Sequence, residues 1–131
     1  MSSIVRERKE LVTAVMGRIN TIVAAGVVDR QRLELIRLTL LDLTQRPDAS
    51  LPEHFQPPRD PKRNSNMFEL FRSDDAGPTL YASIAPAGLT TPVHFHTTWA
   101  VIAGLRGAEF NQFYTRDDAG RPVAADSFVV K

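Results

Sequence analysis

Two of the three histidines in this 131-residue chain are separated by a single residue, within the segment PVHFHTTW at positions 92–99. Neutral imidazole is the commonest metal ligand in proteins, and two imidazoles on one surface can hold one divalent cation. The segment is rich in β-branched and aromatic residues, which predicts a strand. Because strand side chains alternate between faces, His94 and His96 should share a face, with Cα atoms about 6.5 Å apart. The pair is the candidate metal site, although most metal sites take at least three protein ligands.

Composition limits the classes of protein to which the chain can belong. Charged residues make up 24% and hydrophobic residues 43% of the sequence, as in a globular domain in water. A net charge of +1 gives no reason to expect nucleic acid or a membrane surface as a partner. The absence of cysteine excludes disulfides, thiolate ligands and a cysteine nucleophile. The charged start and the lack of a long apolar run predict neither a secretory signal nor a membrane span, hence a cytoplasmic protein.

The first 46 residues are predicted to form a helical hairpin. Gly26 would end the first helix, and Asp29 would cap the second with its carboxylate. Apolar residues recur there at three- and four-residue steps, and they include Ile4, Leu11, Val12, Val15, Met16, Ile19, Leu33, Ile36, Leu40 and Leu43. Residues 47–65 contain five prolines and are interpreted as an extended connector.

Residues 66–131 have the pattern of a β domain. Turn sequences rich in aspartate, proline and glycine separate the apolar runs, which favours an antiparallel sandwich or barrel. The predicted strands are 67–73, 79–85, 92–96, 98–103, 108–115 and 126–130. The expected fold class is therefore α+β, mainly β with N-terminal helices.

The spacing around the histidine pair resembles a known metal motif. Gly88, five further residues, the His94-Phe95-His96 triplet and later Gly107 resemble the first half of the cupin motif. The sequence TPVHFH, followed by a tryptophan, is similar to the cysteine dioxygenase-type branch of that superfamily. The resemblance covers about residues 66–130 and implies a cupin double-stranded β-helix, complete or partial, preceded by the helical hairpin.

The same resemblance implies an activity. Members of this branch are thiol dioxygenases, in which molecular oxygen converts a small thiol to a sulfinate at an iron(II) ion held by three histidines. His94 and His96 would then be metal ligands. The family's arginine for the substrate carboxylate would fall near Phe68, and Arg72 is the nearest candidate. From the residues themselves, Trp99 is interpreted as packing in the sheet, with a wall of the cofactor pocket as the alternative, and Tyr114 as a pocket hydroxyl. Nickel and zinc are alternative metals. The substrate implied is a small thiol. A second copy of the chain is expected as a partner for a different reason, because an incomplete barrel leaves open sheet edges and an uncovered apolar face.

The chain departs from the family pattern in its ligands. The motif's glutamate would fall on Ala100 or Val101, and no histidine follows His96. The third protein ligand is therefore not found in the sequence, and the chain corresponds to about two-thirds of a cupin. Three explanations stay open: a truncated form, a barrel completed by a second copy that also supplies a ligand, and a small cupin that closes with fewer strands. The alternative function is a non-catalytic or degenerate cupin that acts as a small-ligand-binding or dimerisation module.

Other polar residues have an ordinary interpretation beside a functional one. His54 is interpreted as a solvated histidine of the connector, and as a substitute ligand if the connector covers the barrel mouth. Glu109, Asn111 and Gln112 are interpreted as outward polar residues of a strand, with a cavity-facing ligand as the alternative.

Overall fold

The computed structural model describes residues 3–45, 54–56, 58–60, 62, 65–74 and 76–130. Two helices come first, α1 over Ser3–Ala24 and α2 over Arg30–Thr44. The strands that follow are β1 (Asn66–Arg72), β2 (Thr79–Ile84), β3 (Glu109–Arg116) and β4 (Pro122–Val130). The predicted α+β class is confirmed. Within the described ranges, no helix is both long and apolar enough to cross a membrane.

Helices α1 and α2 pack against each other through one apolar stripe on each helix. Burying these side chains removes them from water, which is the main favourable contribution to such a hairpin. The buried positions recur at helical spacing, and they are Val12, Val15, Met16 and Ile19 in α1 and Ile36, Thr39, Leu40 and Leu43 in α2. Both amphipathic helices predicted from the sequence are confirmed.

The connection between the helices satisfies backbone groups at both helix ends. Asp29 has an extended backbone, and its carboxylate accepts a hydrogen bond of 2.9 Å from the backbone N–H of Arg32. The Arg32 guanidinium donates to the carbonyl oxygens of Ala25 at 3.1 Å and Val27 at 2.6 Å, beyond the end of α1. Gly26 has a φ of +154°, which side-chain-bearing residues rarely adopt. The predicted glycine stop and aspartate cap are thus both observed.

Strands β1 and β2 form an antiparallel two-stranded sheet that contacts α1. Asn20 of α1 donates from its amide nitrogen to the Ser73 hydroxyl at 3.0 Å, and that hydroxyl lies 3.2 Å from the Asn20 amide oxygen. Ala82 of β2 is buried. The register shifts between Glu69 and Phe71, so β1 carries one extra residue there, a β-bulge.

Strands β3 and β4 form a second antiparallel two-stranded sheet. Asp117 organises the turn, because its carboxylate accepts backbone hydrogen bonds from Ala119 at 2.9 Å and Arg121 at 2.8 Å. Across the hairpin, the ring centroids of Phe113 and Phe128 are 5.2 Å apart. These contacts fix the hairpin locally, as the predicted Asp-Asp-Ala-Gly turn implied.

The chain divides into two compact units, Met1–Leu89 and Thr90–Lys131. All the buried residues of the described ranges lie in the first unit. In the second unit none of the described residues is buried, and Phe110 is 67% exposed. The second unit therefore has no hydrophobic core of its own within the part of the chain that the structure describes.

Two of the predicted strands, 92–96 and 98–103, are wrong, since the described chain forms no strand between β2 and β3. β-Branched composition indicates that a segment fits a pleated surface, but a strand also needs a neighbour for its backbone groups. The last strand begins at Pro122 rather than at 126. Across the described ranges the strands form two separate pairs and no closed barrel.

Candidate metal site

The histidine pair lies in the irregular segment between β2 and β3, within the second unit. Both side chains are exposed. The ring centroids of His94 and His96 are 5.2 Å apart, and the ring planes are inclined by 58°. The structure therefore brings the two predicted ligands together, although the strand that was expected to carry them does not form.

A backbone contact orients the first of these rings. The Nδ1 atom of His94 lies 2.8 Å from the carbonyl oxygen of Pro92. A carbonyl oxygen only accepts hydrogen bonds, so Nδ1 is the donor, and in the neutral ring the lone pair is on Nε2. Metal-binding histidines commonly donate their other ring nitrogen to a carbonyl in this way, which fixes the tautomer and the ring orientation. The role of Pro92 is not visible in the sequence, because any residue type can supply a backbone acceptor.

No third ligand joins the pair in the described part of the chain. Groups of three or more histidine, cysteine, aspartate or glutamate side chains placed to hold a metal ion are absent from those ranges. Two neutral imidazoles fit iron(II), nickel or zinc by donor type. They do not by themselves make the three-histidine iron centre that the resemblance implies.

His54, the proposed substitute ligand, belongs to the first unit and has other partners. Its Nδ1 atom lies 2.9 Å from a guanidinium nitrogen of Arg8. Because a guanidinium only donates, Nδ1 of His54 accepts this bond. The Arg8 guanidinium also lies 4.8 Å from the ring centroid of Phe55, which packs edge-on against Phe68. The positive charge of Arg8 would repel a metal cation at His54, which makes this histidine a poor metal ligand.

Arg72, the proposed carboxylate contact, is paired with Glu69 within β1. The Nη2 atom of Arg72 lies 2.6 Å from Oε1 of Glu69. The hydrogen bond to Glu69 and the charge of its carboxylate raise the pKa of Arg72, with a smaller contribution from Tyr81. Residues three apart lie on opposite faces of a regular strand, but the bulge after Glu69 restores them to one face. The sequence carried no clear signal of this bulge.

The two pocket candidates lie in different parts of the second unit. Trp99 is half-buried in the irregular segment, and Tyr114 lies in β3 opposite Ala124 with 45% of its surface exposed. Among the described residues, hydrogen bonds and ring contacts join neither side chain to the histidine pair. The structure therefore does not bring these four residues into one hydrogen-bonded site.

The polar residues of β3 contact their own hairpin. The carboxylate of Glu109 accepts a hydrogen bond of 3.1 Å from the Asn111 amide. The amide of Gln112 donates to the backbone carbonyl of Ala125 at 2.9 Å. These contacts agree with the interpretation of the three residues as polar positions of a strand.

Comparison with known proteins adds no further assignment. No protein-family model matches the chain, and no solved structure matches it. The histidine pair and the residues around it are therefore the basis for proposing a function.

Proposed function

We propose that this chain is a metal-binding protein of the cupin type, related to the thiol dioxygenases, in which His94 and His96 hold iron(II). One observation carries the proposal: two exposed imidazoles lie 5.2 Å apart, and the carbonyl of Pro92 fixes the tautomer of the first. Metal-binding histidines commonly donate one ring nitrogen to a carbonyl in this way, which presents the other nitrogen to an ion.

The proposed reaction is the oxidation of a small thiol by oxygen to a sulfinate. A divalent cation bound to the pair would favour the thiolate form of a coordinated thiol, since the cation stabilises the anion. Trp99 and Tyr114 are proposed as pocket residues.

Metal binding is the first test of this proposal. We expect calorimetric titration with zinc, nickel or, without oxygen, iron(II) to show binding that is lost in His94→Ala and His96→Ala. His54→Ala is the matched control, because it removes the remaining histidine of the sequence and should leave binding unchanged. Equal binding by wild type and the His94→Ala/His96→Ala double variant would reject the site.

Oxygen consumption is the second test. The iron-loaded chain should consume oxygen with at least one member of a panel of small thiols and release the corresponding sulfinate, identified by mass spectrometry. The His94→Ala/His96→Ala variant, treated identically, measures oxidation by free iron. Metal binding without thiol-dependent oxygen uptake would leave a metal-binding protein and reject the oxygenase.

A second candidate function is a non-catalytic cupin-type module that binds a small ligand or a second chain. It is supported by the exposure of the histidine pair and by the absence of a third ligand in the described ranges. A groove of about 160 Å³ in the first unit offers a place for a small ligand, and it is lined by Val5, Arg8, Lys9, Val12, Glu69 and Leu70. An unchanged melting temperature with iron, nickel and zinc would favour this module, since a ligand specific for the folded state must stabilise it.

A further inference from the structure

The proposed metal site has two protein ligands, His94 and His96, which is fewer than a stable site needs. Protein sites for zinc and similar ions take three or four protein ligands. The described part of the chain supplies His94 and His96, and no cluster of three potential ligands includes them. His54 is in the other unit, next to the cation of Arg8, and the sequence has no cysteine. A second molecule that brought further ligands to the pair would complete the site.

The pair is placed where another molecule can reach it. Both rings are exposed, and the lone pair of neutral His94 is on Nε2, the nitrogen that the Pro92 carbonyl does not engage. The residues that precede His94 and His96 in the chain are apolar and also exposed. The exposed fraction of the surface is 54% for Val93 and 75% for Phe95. Phe95 shares this exposure with other large apolar side chains of the second unit, such as Phe110 and Ile102, and contact of such side chains with water is unfavourable. A partner that completed the metal site would also cover Val93 and Phe95.

A second copy of the same chain satisfies both needs. Two copies related by a two-fold axis present the same surface to each other, so each brings two imidazoles and the apolar neighbours of those imidazoles. Four imidazoles match the tetrahedral coordination of zinc. The rest of the second unit also has apolar surface to cover, since none of its described residues is buried.

We propose that one divalent metal ion joins two copies of this chain, held by His94 and His96 of each copy. The inference rests on the proposed metal binding by this pair and names the partner that completes the site. With zinc, four imidazoles leave no open position, so the ion is structural. An octahedral iron(II) ion keeps two positions for further ligands. The identity of the metal therefore decides whether the joined site can also take substrate.

The decisive measurement combines stoichiometry with mass. Zinc is titrated into the full chain by calorimetry, and the molar mass is followed by light scattering, with and without a chelator. We expect one zinc ion per two chains and a doubling of the mass from 14.6 kDa, reversed by the chelator. One ion per chain with an unchanged mass would overturn the metal-joined pair while leaving the proposed metal site intact. No binding at any stoichiometry would overturn both.

Variants test which residues are needed for the zinc-dependent pairing of two chains. His94→Ala and His96→Ala should each abolish the zinc-dependent doubling of mass, whereas His54→Ala should retain it. Phe95→Ser should weaken the zinc-dependent pairing by about tenfold or more, since it removes apolar surface that the pairing would bury. Val27→Ser is the matched control, because Val27 is 82% exposed in the other unit. Zinc-dependent doubling in the His94→Ala/His96→Ala double variant would overturn the proposal.

A mixing experiment tests whether both copies supply ligands. Tagged wild-type chain, with a tag that lacks histidine, should capture untagged wild type when zinc is present. It should not capture the untagged His94→Ala/His96→Ala double variant. Capture of both to the same extent would show that the second copy contributes no ligand, and would overturn the four-imidazole site. Cobalt(II) in place of zinc reports the coordination number through the intensity of its visible absorption bands. Strong bands are expected, because they indicate a tetrahedral site. Weak bands would indicate an octahedral site and would contradict the four-imidazole zinc site.

Discussion

The Nδ1 atom of His94 lies 2.8 Å from the carbonyl oxygen of Pro92, two residues earlier in the chain. Nδ1 of His54, by contrast, faces a guanidinium donor of Arg8 at 2.9 Å. The same ring atom therefore donates in one histidine and accepts in the other. This difference predicts opposite neutral tautomers for the two residues, and only His94 has the tautomer whose Nε2 can bind a metal ion.

Ring-nitrogen NMR checks this prediction. In the metal-free chain, at a pH where both rings are neutral, His94 should carry its proton on Nδ1 and His54 on Nε2. Arg8→Ala should release His54 toward a mixture of tautomers and leave His94 unchanged. A dominant Nε2–H tautomer at His94 would contradict the orientation by Pro92 and remove the main support for the metal site.

The sequence predicted the helical part of the fold well because its signals are local. The apolar spacing, the Asp29 cap and the Gly26 stop each act within a few residues, and all three are observed. Strands β1 and β2 were predicted to within two residues at each end for a similar reason, since turn residues separate them. Local sequence signals are sufficient to predict an element whose backbone hydrogen bonds lie within that element or within one short hairpin.

The segment from 92 to 103 was not predictable in this way. Its composition suits a strand, but the backbone pairing that makes a strand depends on a neighbour elsewhere in the chain. The closeness of the two histidine rings was predictable, because one intervening residue keeps them close in any extended backbone. The partners that decide what each site residue can do, Pro92 for His94 and Glu69 for Arg72, come from a backbone atom and a bulge. Neither leaves a signal in residue spacing.

The core of the helical hairpin gives a prediction about stability. Ile36 is 2% exposed, so Ile36→Ala removes a fully packed side chain and leaves a cavity. We expect a loss of about 2–5 kcal/mol in the free energy of unfolding, measured by urea denaturation. Leu38→Ala on the same helix is the control, since Leu38 is 50% exposed and its truncation should cost less than about 1 kcal/mol. Equal losses would contradict the assignment of the buried face.

The cap of α2 gives a third prediction. The Asp29 carboxylate accepts a hydrogen bond from the Arg32 N–H, one of the donors that a helix start leaves without a partner. Asp29→Ala should lower the free energy of unfolding by about 1 kcal/mol. Asp29→Asn keeps an oxygen acceptor at the same place and should retain most of that stability, measured in the same urea titrations. If Asp29→Asn lost as much free energy of unfolding as Asp29→Ala, the charge of Asp29 and not its hydrogen bond would be what stabilises the helix.

The pair Glu34–Arg37 on α2 predicts a dependence of stability on pH. The hydrogen bond from Arg37 holds the pKa of Glu34 below its usual value of 4.5; desolvation raises that pKa by a smaller amount, and the charge of Arg37 adds a still smaller lowering. A carboxylate whose pKa is lower in the folded state stabilises that state above its unfolded pKa, and this contribution is lost as pH falls through the folded pKa. Glu34→Gln should therefore lower the urea midpoint slightly near about pH 7, and the difference from wild type should vanish once the pH has fallen below the folded pKa of Glu34. Both side chains are about half exposed, so the effect should be small and should shrink in high salt. In a chain that already carries Arg37→Gln, Glu34→Gln should cause no pH-dependent change in the urea midpoint. If the pH dependence persisted there, a group other than Arg37 would be responsible for the lowered pKa of Glu34.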